Sequence, residues 1–155
     1  MSAKKEIKIS FKVFKIDTVA FSYEEPEDIK PILDNKELGV HLELVMNVKD
    51  DENNKGHQLI SVIVSSEFYD KESKSTYIKH KGKTVFLVKG LEKTDKKSNQ
   101  YKLPVDLIYT TYSVSFSHAR ALLANETSNT VFKNYFLPLI DPAVFVKDAE
   151  ITTNK

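Results

Sequence analysis

The stretch SVSFSHARALLAN, Ser113 to Asn125, sets serines, a histidine and an arginine within a few residues of one another. These are the types a nucleophile, its general base and its orienting partner are drawn from. Their spacing argues otherwise. Val105, Ile108, Tyr109, Tyr112, Phe116, Ala119 and Leu123 recur at helical intervals and predict one helix from Val105 to about Asn125. On such a helix Ser117 and His118 are adjacent and point about 100° apart. Ser115 and His118 are better spaced, but a serine in mid-helix has neither an exposed elbow nor an oxyanion hole nearby. The stretch reads as framework, with no catalytic residue and no enzyme implied.

Other chemistry is equally hard to assemble. His41, His57, His80 and His118 fall on different predicted elements, without the spacing of metal ligands. The chain has no cysteine, which removes disulfides and thiolate chemistry, and its four glycines form no phosphate loop. No cofactor is expected. The 23 basic and 22 acidic side chains are interleaved and give a net charge of +1, which is no footprint for nucleic acid. The N-terminal lysines have no apolar run behind them, and no window approaches the roughly 20 apolar residues of a membrane span. The expectation is a cytoplasmic protein without membrane insertion. Its 155 residues fit a single domain, with a core over about 6–148 and a flexible tail over about 149–155.

The helix must be held by what precedes it, and that part alternates with period two. Ile7, Ile9, Phe11 and Val13 share one face of a first strand, whose phase blurs at Phe14 and Ile16, a sign of a bulge. EEPEDIKPILDNKELG is a long crossing loop carrying Ile32 and Leu33 among polar residues. Three further strands follow in VHLELVMNVKD, HQLISVIVSSEFY and TYIKHKGKTVFLVKG, the last with a bulge point at Gly82. Short turns between them predict an antiparallel meander of four strands, in an α+β fold with one long helix. A charged loop, LEKTDKKSNQYKLP, leads to Pro104 and the helix.

That helix has more apolar surface than one sheet uses. Leu107, Val114, His118 and Ala121 form an extra, mixed stripe, and with Ile7, Ile9 and Phe11 on the first strand they are the candidate surface of a homo-oligomer. A dimer or a tetramer is expected.

The order of these segments resembles the SecB chaperone family over about residues 6–148. The resemblance rests on Phe21 before an acidic-proline loop, a hydrophobic strand ending in Gly90, the Ala119–Arg120 pair, Thr127 or Thr130 leading to Phe132, and Pro138 in the segment FLPLIDPAVF. It implies a chaperone that holds unfolded polypeptides without ATP, built from sheets paired into a dimer and helices sandwiched into a tetramer. The client groove it implies lies between the crossing loop and the C-terminal segment. Ile32, Leu33, Phe136, Leu137, Ile140 and Phe145 would line it, with Phe21 and Tyr23 at its floor. Two departures, a short C-terminal segment and a neutral charge where the export chaperones are acidic, count against the translocase motor as a partner. A particular client such as an antitoxin fits equally. The alternative reading is a non-catalytic structural module on the same scaffold, without a client groove.

Overall fold

The computed structural model describes residues 8–146 and the backbone of 151–153. Four long strands dominate: β1 (Ser10–Tyr23), β2 (Gly39–Asp50), β3 (His57–Tyr69) and β4 (Thr76–Lys89). Between β1 and β2 the crossing loop contains a single turn of helix, α1 (Lys30–Leu33), opened by Pro31. A two-stranded hairpin, β5 (Glu92–Lys93) and β6 (Tyr101–Lys102), precedes the long helix α2 (Val105–Thr127). A short turn of helix, α3 (Ala143–Val146), and a strand, β7 (Ile151–Thr153), follow.

All four long strands pair antiparallel, in the order β1-β4-β3-β2, and β7 adds in parallel at Met46–Val48. The meander holds for β2, β3 and β4, whose turns are short. It does not extend to β1, which lies beside β4 because the crossing loop carries the chain over the end of the sheet. The blurred phase of β1 is real: its register slips at Phe14 and again at Val19. The second slip falls at Gly82, with the extra residue, Val19, on β1 and not on β4. A Cβ on Gly82 would sit 3.3 Å from Cα and Cβ of Ala119, so the missing side chain lets α2 lie close on β4. The charged loop is also more ordered than its sequence implied. The Tyr101 hydroxyl donates to Asp50, tying the hairpin to the end of β2.

The core forms between one face of the sheet and α2. Ile60, Val62 and Val64 on β3, with Ile78, Phe86 and Val88 on β4, are wholly buried under Tyr112, Phe116, Ala119 and Leu123. The buried arc of α2 is rotated from the apolar stripe of its sequence. Leu107, Thr111 and Ser115 turn inward, whereas Val105 and Tyr109 are exposed. Thr111 tolerates burial because its hydroxyl donates to the Leu107 and Ile108 carbonyls. Among the described residues no helix is long and apolar enough to cross a membrane.

Candidate functional site

The serine and histidine of α2 do not meet. His118 Nδ1 lies 3.0 Å from Thr84 Oγ1 on β4, and the buried Ser115 hydroxyl has no partner. His80 Nε2 lies 3.1 Å from Thr18 Oγ1 on β1. Burial lowers the pKa of both imidazoles, so both favour the neutral form. These histidines fasten strands and helix together. Among the described residues no three His, Asp or Glu side chains converge on a metal position.

Several recesses open on the surface, one of about 530 Å³ at Glu24–Glu27 and Ser75–Tyr77, and the one that adjoins expected groove residues lies where the crossing loop meets the segment after α2. A cleft of about 420 Å³ runs between Asn35–Leu38 on one side and Asn134–Pro138 on the other. Val40 and Phe68, directly opposed in the β2–β3 register, also line it. Both walls are fastened. On the loop side Lys36 Nζ is 2.6 Å from Asp70 Oδ2, in the turn between β3 and β4. That lysine and the Ser73 and Glu72 amides hold the Asp70 carboxyl well below the usual carboxylate range. Lys71 pairs with Glu37 at 2.7 Å beside it. On the other side Arg120 Nε donates to the Leu137 carbonyl at 3.1 Å, anchoring the segment to α2. The Tyr135 hydroxyl donates to the Lys36 carbonyl at 2.7 Å and bridges the two walls.

Aromatic rings floor this corner. Phe132 is fully buried and stacks on Tyr77, with Tyr23 and Tyr135 edge-on at 6.1 and 6.2 Å. Phe21 packs on Tyr23 and His80. Phe21 and Tyr23 do not line the 420 Å³ cleft; each lines a neighbouring recess on the β1–β4 side.

The other residues expected in the groove divide sharply. Ile32 is 2% exposed and Leu137 1%, so both belong to the core and not to a surface. Leu33, next to Ile32, is 55% exposed, and Phe136, next to Leu137, is 57% exposed and lines the cleft. Ile140 and Phe145 are half-buried against the core. Leu38, Val40, Phe68 and Tyr135 line the cleft and were not anticipated. Period two along β2 and β3 puts Val40 and Phe68 on the helix side, which is the signal that would have found them.

The expected oligomer surface divides too. Ile7 lies outside the described residues. Ile9 packs against the core, and Phe11 sits on the edge strand against Phe86. Leu107 is buried within the chain and so leaves that surface. Val114 is half-buried, His118 bonds inward to Thr84, and Ala121 is exposed. Exposed apolar side chains gather on β1, where Phe11 itself is joined by Val13, Phe14, Ile16 and Val19.

No protein-family model matches the chain, and no curated protein matches it significantly. Solved structures do. A Mycobacterium tuberculosis SecB-like chaperone, in complex with a ChAD peptide from the HigA1 antitoxin, superposes with a TM-score of 0.57. The match covers 84% of this chain and 90% of that one, at 12% identity. The fold is SecB-like. A Streptococcus agalactiae protein of unknown function matches with a TM-score of 0.51, over 78% of this chain and 90% of that one, at 7% identity. At these identities the likeness concerns backbone architecture, and the SecB-like resemblance read from the order of motifs agrees with it.

Proposed function

We propose that this protein is a chaperone that holds non-native polypeptides in the cleft between the crossing loop and the C-terminal segment, without nucleotide or other cofactor. The observation that carries the reading is the cleft itself: a fastened recess of about 420 Å³ with the half-buried Val40 in its wall, the core residues Leu38 and Phe68 behind it, and an exposed Phe136 at its rim. A recess of that kind takes side chains of an extended polypeptide by apolar contact, each contributing roughly 1.5–3 kcal/mol when fully buried. Such contacts need no catalytic group and little sequence preference. The SecB-like fold supports the same reading, since a protein of that architecture is a chaperone bound to an antitoxin peptide. An antitoxin is one client class this invites, and a precursor awaiting export is another. The setting we infer is the cytoplasm.

Assembly is part of the proposal. β1 is an edge strand of 14 residues with Val13 and Phe14 43% and 62% exposed. A long apolar edge left open invites uncontrolled pairing, so a second copy of the chain is the natural cover. The alternative, a scaffold without a client site, draws on Ile32 and Leu137, which close a core beneath the cleft. The deciding experiment dilutes a denatured model protein into stoichiometric amounts of this protein without nucleotide. Suppressed aggregation supports the holding function; unabated aggregation by a folded, assembled protein supports the scaffold.

A further inference from the structure

The sheet has a second face, and the proposed function does not use it. The crossing loop, α2 and the chain after α2 all pack on the side of Ile60, Val62 and Phe86. The outward side is built from the alternate residues, and the register arranges them in rows across β1, β4, β3 and β2. Lys12, Leu87, Leu59 and Lys49 form one row; Lys15, Val85, Ser61 and Asn47 the next. Then come Asp17, Lys83, Ile63 and Val45, and after them Ala20, Lys81, Ser65 and Glu43. Leu59, Leu87, Val85, Ile63 and Val45 thus form a continuous aliphatic band across the sheet.

Lysines flank that band on both sides. β4 contributes Lys79, Lys81, Lys83 and Lys89 to this face. β1 adds Lys12 and Lys15, and β2 adds Lys49. Among the described residues three carboxylates, Asp17, Glu43 and Glu67, stand against these seven, a surplus of four positive charges. Residues 8–146 sum to no net charge, so the rest of the described surface is net negative and the charge is segregated by face. Two of the carboxylates pair with lysines, Asp17 with Lys15 at 3.0 Å and Glu67 with Lys79 at 4.0 Å. Both pairs are exposed, and Lys81 and Lys83 take part in neither.

An aliphatic centre inside a rim of net positive charge is the layout of a protein–protein contact whose rim steers a partner of opposite sign. We propose that this open face docks an acidic segment of a second protein, one that sets carboxylates on either side of aliphatic residues. A second copy of this chain is a poor occupant, because face against face would set one surplus of lysine against the other. A single-stranded nucleic acid is also a poor one. It needs rings to stack on, and the rows from Lys12 to Glu43 carry no Phe, Tyr or Trp.

The probe is a fluorescein-labelled synthetic peptide alternating Glu and Leu, titrated with the intact protein and followed by anisotropy at low and high NaCl. A peptide with Gln replacing Glu and an oligothymidylate serve as comparisons. We expect the Glu peptide to bind at least tenfold more tightly than the Gln peptide, with an affinity that falls as salt rises. Lys81→Glu with Lys83→Glu is expected to weaken it at least tenfold. Lys81→Gln with Lys83→Gln, a milder change on the same exposed strand, is expected to weaken it less but in the same direction. In Phe136→Ser, whose client cleft is impaired, the preference for the Glu over the Gln peptide is expected to persist, which separates this surface from the holding function. Equal affinity for the Glu and Gln peptides, an unaltered affinity in the lysine variants, loss of that preference in Phe136→Ser, or tighter binding of oligothymidylate would each overturn the proposal.

Discussion

Ile32 and Leu33 are neighbours of similar size in the same polar loop, yet they should respond oppositely to truncation. Ile32 is 2% exposed and packed in the main core, beneath the loop that Tyr135 ties down through the Lys36 carbonyl. Ile32→Ala removes buried methyl groups and leaves a cavity, a change that costs about 2–5 kcal/mol. At about 3 kcal/mol, a chain of this size should melt roughly 6–12 °C lower, since each kcal/mol shifts Tm by about 2–4 °C. Leu33 is 55% exposed, so Leu33→Ala should stay within about 0.5 kcal/mol of the parent, or less than about 2 °C. The assay is thermal and urea unfolding at one fixed protein concentration, because assembly makes Tm concentration-dependent. An unchanged urea slope would place the effect in the folded core. If Ile32→Ala melts within 2 °C of the parent, or Leu33→Ala proves as costly, the core beneath the cleft is wrongly drawn.

Arg120→Ala should free the Leu137 carbonyl and cost about 1.5–3 kcal/mol, with faster amide exchange across residues 135–138; unchanged exchange there would remove Arg120 as the anchor. Asp70 has its folded pKa below the ordinary 3.8, chiefly through Lys36, so its stabilisation is complete above about that pH and fades as pH falls below it. Asp70→Asn should therefore lower stability at neutral pH and flatten the acid limb of the stability–pH curve, and an unaltered acid limb would contradict the pairing. Val13→Asp with Phe14→Asp on the open edge should shift the assembly to smaller species by light scattering while the circular dichroism spectrum is kept, and an unaltered mass would move the subunit interface away from β1.

Where sequence sufficed, a local rule acted alone. Period two located all four long strands, and period 3.6 located α2 to within two residues at its end. The slip at Phe14 was visible as a broken alternation. Pairing order was not visible, because whether β1 joins β2 or β4 depends on how the crossing loop travels, and both leave the same alternation. The rotation of α2 was hidden for a related reason. Thr111 and Ser115 look like surface residues until Gly82 and Ala119 bring the helix close to β4. In the cleft, Ile32–Leu33 and Phe136–Leu137 each offer two apolar neighbours in an irregular segment with no period. Which of each pair turns inward is decided by long-range partners, Tyr135 and Arg120 among them.

The claim that a client lies in this cleft is tested most directly by the affinity of one exposed ring. Phe136 is 57% exposed at the cleft rim, and Val45, 40% exposed, lies on the opposite face of the sheet. Covering the open half of a phenylalanine side chain is worth roughly 1–1.5 kcal/mol, or about tenfold in Kd. The measurement is the Kd of a labelled, permanently unfolded polypeptide of balanced charge for the parent, Phe136→Ser and Val45→Ser proteins, each confirmed folded and equally assembled. We predict a roughly tenfold loss for Phe136→Ser and parental affinity for Val45→Ser; parental affinity for Phe136→Ser, or an equal loss in both, would contradict a client site between the crossing loop and the C-terminal segment.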